Sequence, residues 1–128
     1  MALPTMTLGE LIAHFREIKV TQYDDYTLVD WVNELEGKLY YEIISWHECT
    51  DLPAPKVYKT ETDMDEFLMV PQPYTSIYLR FLDAQTDHRN GDIPRYRNSM
   101  ELFNAARDDF ANWVNSTYLP KQPNRIRI

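Results

Sequence analysis

The chain has 128 residues, 44% of them hydrophobic, and its 13 basic and 20 acidic residues give a net charge of −7, or −10 without the last eight residues. This composition is typical of one folded domain, and no apolar run approaches the roughly 18 residues of a membrane-spanning helix, so we expect a soluble protein without membrane contact. The acidic body excludes tight, lysine- and arginine-driven binding to a phosphate backbone, so we expect no sequence-specific nucleic-acid binding.

Two helices are predicted in the first half of the chain. Thr7 is followed three residues later by Glu10, a capping-box pattern, and apolar residues then recur at helical spacing, which predicts a helix over about residues 8–19. A second helix begins after Asp24 and Asp25, whose carboxylates can cap and charge-complement its first turn. Its apolar residues recur every three or four positions. They are Leu28, Val32, Leu35, Leu39, Ile43 and Trp46.

Residues 49–72 interrupt the helical pattern. Pro53 and Pro55 exclude a continuous helix, and the acidic run over 60–66 is typical of a solvated loop. The apolar pieces on either side of that run, 57–58 and 67–70, could pair as a short two-stranded β-ribbon. Long irregular loops are often functional, so we expect contacts between neighbouring subunits here. The candidate residues are Tyr58, Glu61, Asp63, Asp65, Phe67 and Met69.

Two further helices are predicted after this loop. Pro73, with Thr75 or Ser76 at the N-terminal amides, predicts the start of the third helix, and Asn90-Gly91 predicts its end. Asp92 caps the fourth, and the short connection predicts an antiparallel hairpin. The sequence thus predicts a mainly α fold, an antiparallel bundle of about four helices over residues 1–118. The expected core consists of Leu35, Leu39, Ile43, Trp46, Phe81, Phe103, Phe110 and Trp113.

An extended C-terminal arm is predicted over residues 119–128. Pro120 and Pro123 prevent a helix, and arginine and isoleucine then alternate with the period of a strand. Two interpretations remain open for an isolated subunit, a frayed terminus or an arm that docks on a partner. In the second, the contact residues are Lys121, Arg125, Ile126, Arg127 and Ile128.

No pattern in the chain indicates catalysis. The sequence contains no His-Glu-x-x-His, no Gly-x-Ser-x-Gly and no Walker-type loop, so we expect neither an enzyme nor a cofactor. His47, Glu48 and Cys49 are adjacent potential metal ligands, but consecutive side chains diverge by about 100° on a helix, so we expect no metal site.

Three stretches of the second half carry a resemblance to a known family. They are Pro-Gln-Pro-Tyr-Thr-Ser-Ile-Tyr at 71–78, Asn-Gly-Asp-Ile-Pro-Arg-Tyr-Arg-Asn-Ser-Met at 90–100, and Phe-Ala-Asn-Trp-Val-Asn at 110–115. In pattern and spacing, roughly residues 28–118 resemble the small helical head–tail connector (adaptor) proteins of long-tailed bacteriophages and prophages. Val114 departs from the family pattern, in which an aromatic residue follows Trp113.

The resemblance implies a structural virion protein at the head–tail junction, made in the bacterial cytoplasm, with which the lone Cys49 agrees. It implies a homo-oligomeric ring, twelve-membered in that family, between the portal protein and a tail-side connector or stopper protein. DNA would be present only in transit, and the C-terminal arm would reach onto the portal.

Two other functions remain open from the sequence. One is a small phage-encoded helical interaction or regulatory protein that binds a host or phage protein and does not need the basic arm. The other is an enzyme with a nonstandard site. Specific binding to a purified portal protein distinguishes the adaptor from both, because neither alternative predicts such a complex.

Overall fold

The computed structural model describes residues 3–121, and it is mainly helical, which confirms the predicted fold class. Four helices follow one another along the chain: α1 Leu8–Ile18, α2 Asp25–Glu42, α3 Ser76–Arg89 and α4 Ile93–Thr117. A single 3-10 turn, Ile44–Trp46, continues from α2. Helix α3 contacts all three of the others, and α4 packs mainly on α3 as the second half of a helical hairpin. The centre of the bundle is therefore α3.

Side-chain caps start three of the helices where the sequence predicts them. Thr7 and Glu10 form the reciprocal capping box of α1, with N···O distances of 2.8 and 3.2 Å. Asp24 caps α2 and Asp92 caps α4, each by accepting a backbone N–H three residues on. Helix α3 differs, because Thr75 has helical φ and ψ angles rather than cap geometry.

The tight turn between α3 and α4 depends on one glycine. Gly91 has φ +73°, the left-handed conformation that residues with a Cβ rarely adopt. Asn90, the other half of the predicted break, still has right-handed helical angles as the C-cap of α3. The predicted helical hairpin thus turns at Gly91.

Most of the predicted core is correct. Leu35, Leu39, Ile43, Phe81, Phe103 and Phe110 are buried. Trp113 is only half-buried, beside Tyr74 and Tyr118, with ring centroids 5.4 and 5.6 Å away. Its neighbour Val114 is fully buried.

Trp46 is the clear error in the predicted core, since its side chain is 66% exposed. The apolar series of α2 extends to Trp46 only if the helix remains regular. It ends at Glu42, however, and the 3-10 turn that follows changes the angle between successive side chains. Ile44 takes the buried position instead.

The predicted β-ribbon does not form within residues 3–121. Backbone groups of the two expected strands form hydrogen bonds with other parts of the chain, so these groups are already satisfied without a β-ribbon. Tyr58 exchanges two hydrogen bonds with the Asn33 side chain of α2, at 2.8 and 3.1 Å. Leu68 N–H donates to the carbonyl of Met6, and Phe67 forms an isolated bridge with Thr7. The 49–72 excursion is therefore fixed to α2 and to the N-terminal segment.

Candidate functional site

An apolar groove of about 400 Å³ lies where the N-terminal segment meets the 49–72 excursion. Phe67 forms an exposed wall of the groove, and Leu52, Leu68 and Met69, which are buried, lie beneath it. A volume of this size is within the usual range of ligand and peptide sites. The groove is lined by Leu3, Pro4, Thr5, Asp51, Leu52, Pro53, Lys56, Phe67, Leu68, Met69 and Pro71.

Long-range hydrogen bonds hold the two sides of the groove together. Gln72 N–H donates to the carbonyl of Pro4 at 2.8 Å, and the Thr5 hydroxyl donates to the carbonyl of Val70 at 2.7 Å. These partners are more than 60 residues apart in sequence, so the groove exists only in the folded chain. The N-terminal side of the groove was not predictable from the sequence, because a short segment without periodicity carries no local signal.

A buried carboxylate fixes the groove from below. Glu36 of α2 has no exposed surface, and its Oε2 accepts hydrogen bonds from the Tyr78 hydroxyl at 2.6 Å, from Met69 N–H at 2.9 Å and from the Tyr58 hydroxyl at 3.1 Å. The Tyr78 hydroxyl also accepts a hydrogen bond from Val70 N–H at 2.9 Å. One glutamate thus joins α2 and α3 to the parts of the excursion on either side of its acidic run.

Burial shifts the pKa values of the groups in this cluster. It raises the pKa of Glu36, against the lowering effect of the hydrogen bonds from Met69, Tyr78 and Tyr58. Burial and the nearby Glu36 carboxyl also raise the pKa of Tyr58 and Tyr78, so both hydroxyls remain donors at neutral pH. The second oxygen, Glu36 Oε1, has no hydrogen-bond partner among residues 3–121. Because the whole side chain is shielded from solvent, we assign Glu36 a structural role.

A second polar cluster joins α1, α3 and α4. Asp87 is almost completely buried, and its carboxylate lies 2.8 Å from Lys19 Nζ and accepts a hydrogen bond from the Ser99 hydroxyl at 2.5 Å. Burial raises the pKa of Asp87, but the hydrogen bonds from Lys19 and Ser99 lower it by more, so the net shift is downward. The carboxylate is therefore ionised and paired, an arrangement that stabilises the bundle.

The base of the C-terminal arm is anchored beside the groove. Glu48 N–H donates to the carbonyl of Leu119 at 2.8 Å, and Lys121 N–H donates to the carbonyl of Trp46 at 2.9 Å. Residues 119–121 thus run antiparallel to 46–48, which agrees with the predicted extended conformation for this part of the arm. Lys121 and Leu52 line the same shallow depression, and Leu52 also lines the groove.

The structure separates the predicted contact residues into exposed and buried ones. Glu61, Asp65 and Phe67 are exposed, and the Asp63 carboxylate accepts a hydrogen bond from Lys59 N–H. Tyr58 and Met69, in contrast, are almost completely buried by this chain itself. The Tyr58 hydroxyl and the Met69 N–H bond to Glu36, and the Met69 side chain lies in the lining of the groove, so neither side chain projects outward towards a neighbour. In the arm, Lys121 is described, while Arg125, Ile126, Arg127 and Ile128 lie outside the described residues.

The three adjacent potential metal ligands do not converge. His47 Nδ1 lies 2.9 Å from the carbonyl of Ile43, and burial raises the pKa of the Cys49 thiol, which disfavours the thiolate that a metal binds. Within residues 3–121, no three histidine, cysteine or acidic side chains form a group that could hold a metal ion.

Comparisons with known proteins do not identify a relative. No family model matches the chain, and neither the curated proteins nor the solved structures contain a significant match to it. None of the helices over residues 3–121 has the length and apolar character needed to cross a membrane.

Proposed function

We propose that the protein is a structural adaptor of a bacteriophage head–tail junction, which forms a homo-oligomeric ring between the portal protein and a tail-side connector or stopper protein. The observation that carries the proposal is the anchored start of a basic arm on an acidic helical body. Residues 119–121 are hydrogen-bonded to 46–48, and the last eight residues carry +3 against −10 for the rest of the chain.

The arm is the proposed portal contact. Because hydrogen bonds to 46–48 already fix the position of residues 119–121, the base of the arm needs no ordering when the portal binds, which lowers the entropy cost of docking. Arg125 and Arg127 would meet carboxylates of the portal, while Ile126 and Ile128 would enter an apolar groove. Trp46 and Leu119, both largely exposed next to the base of the arm, supply an apolar surface that a partner can cover.

The acidic body suits a ring through which DNA passes. A negatively charged lining repels the phosphate backbone and offers no counterion-releasing contacts, so DNA can move without sticking. Contacts between neighbouring subunits are proposed for the exposed residues of the excursion, Glu61, Asp65 and Phe67. Phe67 is the apolar member of this set, and it is the one that gains most from being covered.

The test is a binding experiment with the portal protein of the same phage. The purified chain and the portal should elute together in size-exclusion chromatography with light scattering, at a mass that reports the number of copies. Charge reversal with Arg125→Glu and Arg127→Glu should weaken the complex in a salt-dependent way. Charge reversal of Arg97, which is exposed near the start of α4, at the opposite end of that helix from the arm, is the control. Absence of a portal complex with the intact chain would contradict the proposal.

A second function is favoured by a specific observation. Residues 3–121 of a single chain leave the groove uncovered, with Phe67 62% exposed at its wall, as expected of a monomeric protein that binds a peptide segment of another protein. This is the alternative of a small phage-encoded interaction or regulatory protein. It predicts a monomer or dimer that does not bind the portal and keeps its activity without the arm.

A further inference from the structure

We propose that the groove is the docking site of this chain's own C-terminal residues, 122–128, in the free subunit. The arm would then be held against the body of its own subunit until a partner displaces it. This inference concerns the free protein and does not rest on the adaptor function.

The position of the arm base is the first argument. Lys121, the last described residue, is tied by its N–H to the carbonyl of Trp46, so the chain leaves the body at a fixed place. That place adjoins the groove, because Leu52 lines both the depression around Lys121 and the groove itself. The Tyr118 hydroxyl lies 3.4 Å from the carboxylate of Asp51, another groove residue, on the same side of the molecule.

The length of the remaining chain is the second argument. Seven residues follow Lys121, and a segment of seven residues spans at most about 25 Å when fully extended. The depression around Lys121 and the groove of about 400 Å³ share Leu52, so a segment of this reach can cross into the groove without displacing the anchored base.

The chemistry of the segment is the third argument. In an extended segment, Ile126 and Ile128 would point to one side, and Arg125 and Arg127 to the other. The isoleucines match the apolar lining and the exposed Phe67, and a long, flexible arginine side chain can reach back to the exposed carboxylate of Asp51, which also lines the groove.

The basic residue of the groove does not oppose this arrangement. The Lys56 ammonium forms a salt bridge with the carboxylate of Glu66, so its charge is already balanced. The net charge of −10 on residues 1–120 attracts the basic segment as a whole.

The experiment uses a fluorescently labelled peptide with the sequence of residues 122–128 and two forms of the protein, the full chain and a chain that ends at Lys121. We expect the peptide to bind the shortened chain on the order of tenfold or more tightly than the full chain, because the tethered arm competes at a high effective concentration. Equal binding to the two forms would overturn the proposal, and so would the absence of binding to the shortened chain.

Matched substitutions in the shortened chain locate the peptide. Phe67→Ser should weaken binding about tenfold, since it removes the apolar wall. Val57→Ser is the control, because Val57 is 78% exposed on the same excursion but does not line the groove. Asp51→Asn should weaken binding at low salt only, whereas Asp65→Asn should not. Equal effects of Phe67→Ser and Val57→Ser would place the peptide elsewhere.

The oligomeric state separates the chain's own arm from that of a second copy. If the arm docks in the groove of its own subunit, the full chain remains a monomer in light scattering as its concentration rises. A dimer that forms with the full chain and is lost on truncation at Lys121 would assign the groove to the arm of another copy and refute the intramolecular contact. None of these experiments contains the portal protein, so failure of the groove proposal and failure of the adaptor proposal are independent.

Discussion

Removing the hydroxyl of Tyr78 should destabilise this protein more than removing any other tyrosine hydroxyl within residues 3–121. The hydroxyl donates to Glu36 at 2.6 Å and accepts from Val70 N–H at 2.9 Å, and Tyr78 is fully buried. Tyr78→Phe therefore removes a hydrogen bond to a carboxyl group and leaves a buried amide without an acceptor. Each loss costs about 1–3 kcal/mol, so we expect a decrease of about 3 kcal/mol in the free energy of unfolding.

Two other tyrosines give a graded comparison. The Tyr58 hydroxyl also donates to Glu36, at 3.1 Å, but it accepts no backbone N–H within residues 3–121, so Tyr58→Phe should cost only about 1–2 kcal/mol. Tyr26 is 69% exposed, and Tyr26→Phe should change the free energy of unfolding by less than about 0.5 kcal/mol.

Urea denaturation followed by far-UV circular dichroism measures all three variants. Domains of this size are stable by about 5–15 kcal/mol, so a loss of about 3 kcal/mol moves the midpoint well beyond error. If Tyr78→Phe were no more destabilising than Tyr26→Phe, the Glu36 cluster would not hold the excursion as described.

Three further outcomes follow from the packing and the charges. Phe110 is fully buried, so Phe110→Ala should lower the free energy of unfolding in urea denaturation by about 3–5 kcal/mol. Trp113 is only half-buried, so Trp113→Ala should cost less. The reverse order would contradict the packing. Deletion of residues 119–128 should lower the free energy of unfolding by about 1–2 kcal/mol more than deletion of 122–128, because Glu48 N–H loses the carbonyl of Leu119. Equal melting temperatures of the two shortened chains would count against the anchored base. Since the pKa of Glu36 is raised in the folded state, its protonated form favours folding at low pH, and this contribution is lost as the pH rises above the ordinary value of 4.5 through the raised one. The stability of the native chain relative to Glu36→Gln should therefore fall over that interval, and a rise would contradict the assignment.

The helices of this protein were predictable because their signals are local. The capping box at Thr7 and Glu10 and the Asp92 cap are each encoded within four residues, and the structure contains both. The end of α2 had no such signal. Neither glycine nor proline follows Glu42 until Pro53, so the periodic pattern extended to Trp46, whereas the structure changes to a 3-10 turn at Ile44.

The groove and its support depend on contacts that no local pattern encodes. Glu36 does carry a sequence signal, because it lies four residues after Val32 and three before Leu39, on the apolar face of α2. A carboxyl group on a buried face must find hydrogen-bond donors, since an unpaired one is too costly to bury. Its donors, Tyr58, Met69 and Tyr78, follow 22 to 42 residues later, so the sequence could indicate that Glu36 needs partners but not which ones.

The same dependence explains why an irregular excursion can present a defined surface. A loop without helix or strand is normally mobile, because few contacts oppose its backbone entropy. Here the residues just before and just after the acidic run are held by one carboxylate that is itself fixed in the centre of α2. The wall residue Phe67 lies between two anchored positions, Glu66, whose carbonyl accepts from Leu8 N–H, and Leu68, whose N–H donates to Met6. An exposed aromatic side chain on so constrained a backbone loses little entropy when a partner covers it, which makes this wall of the groove a suitable binding surface.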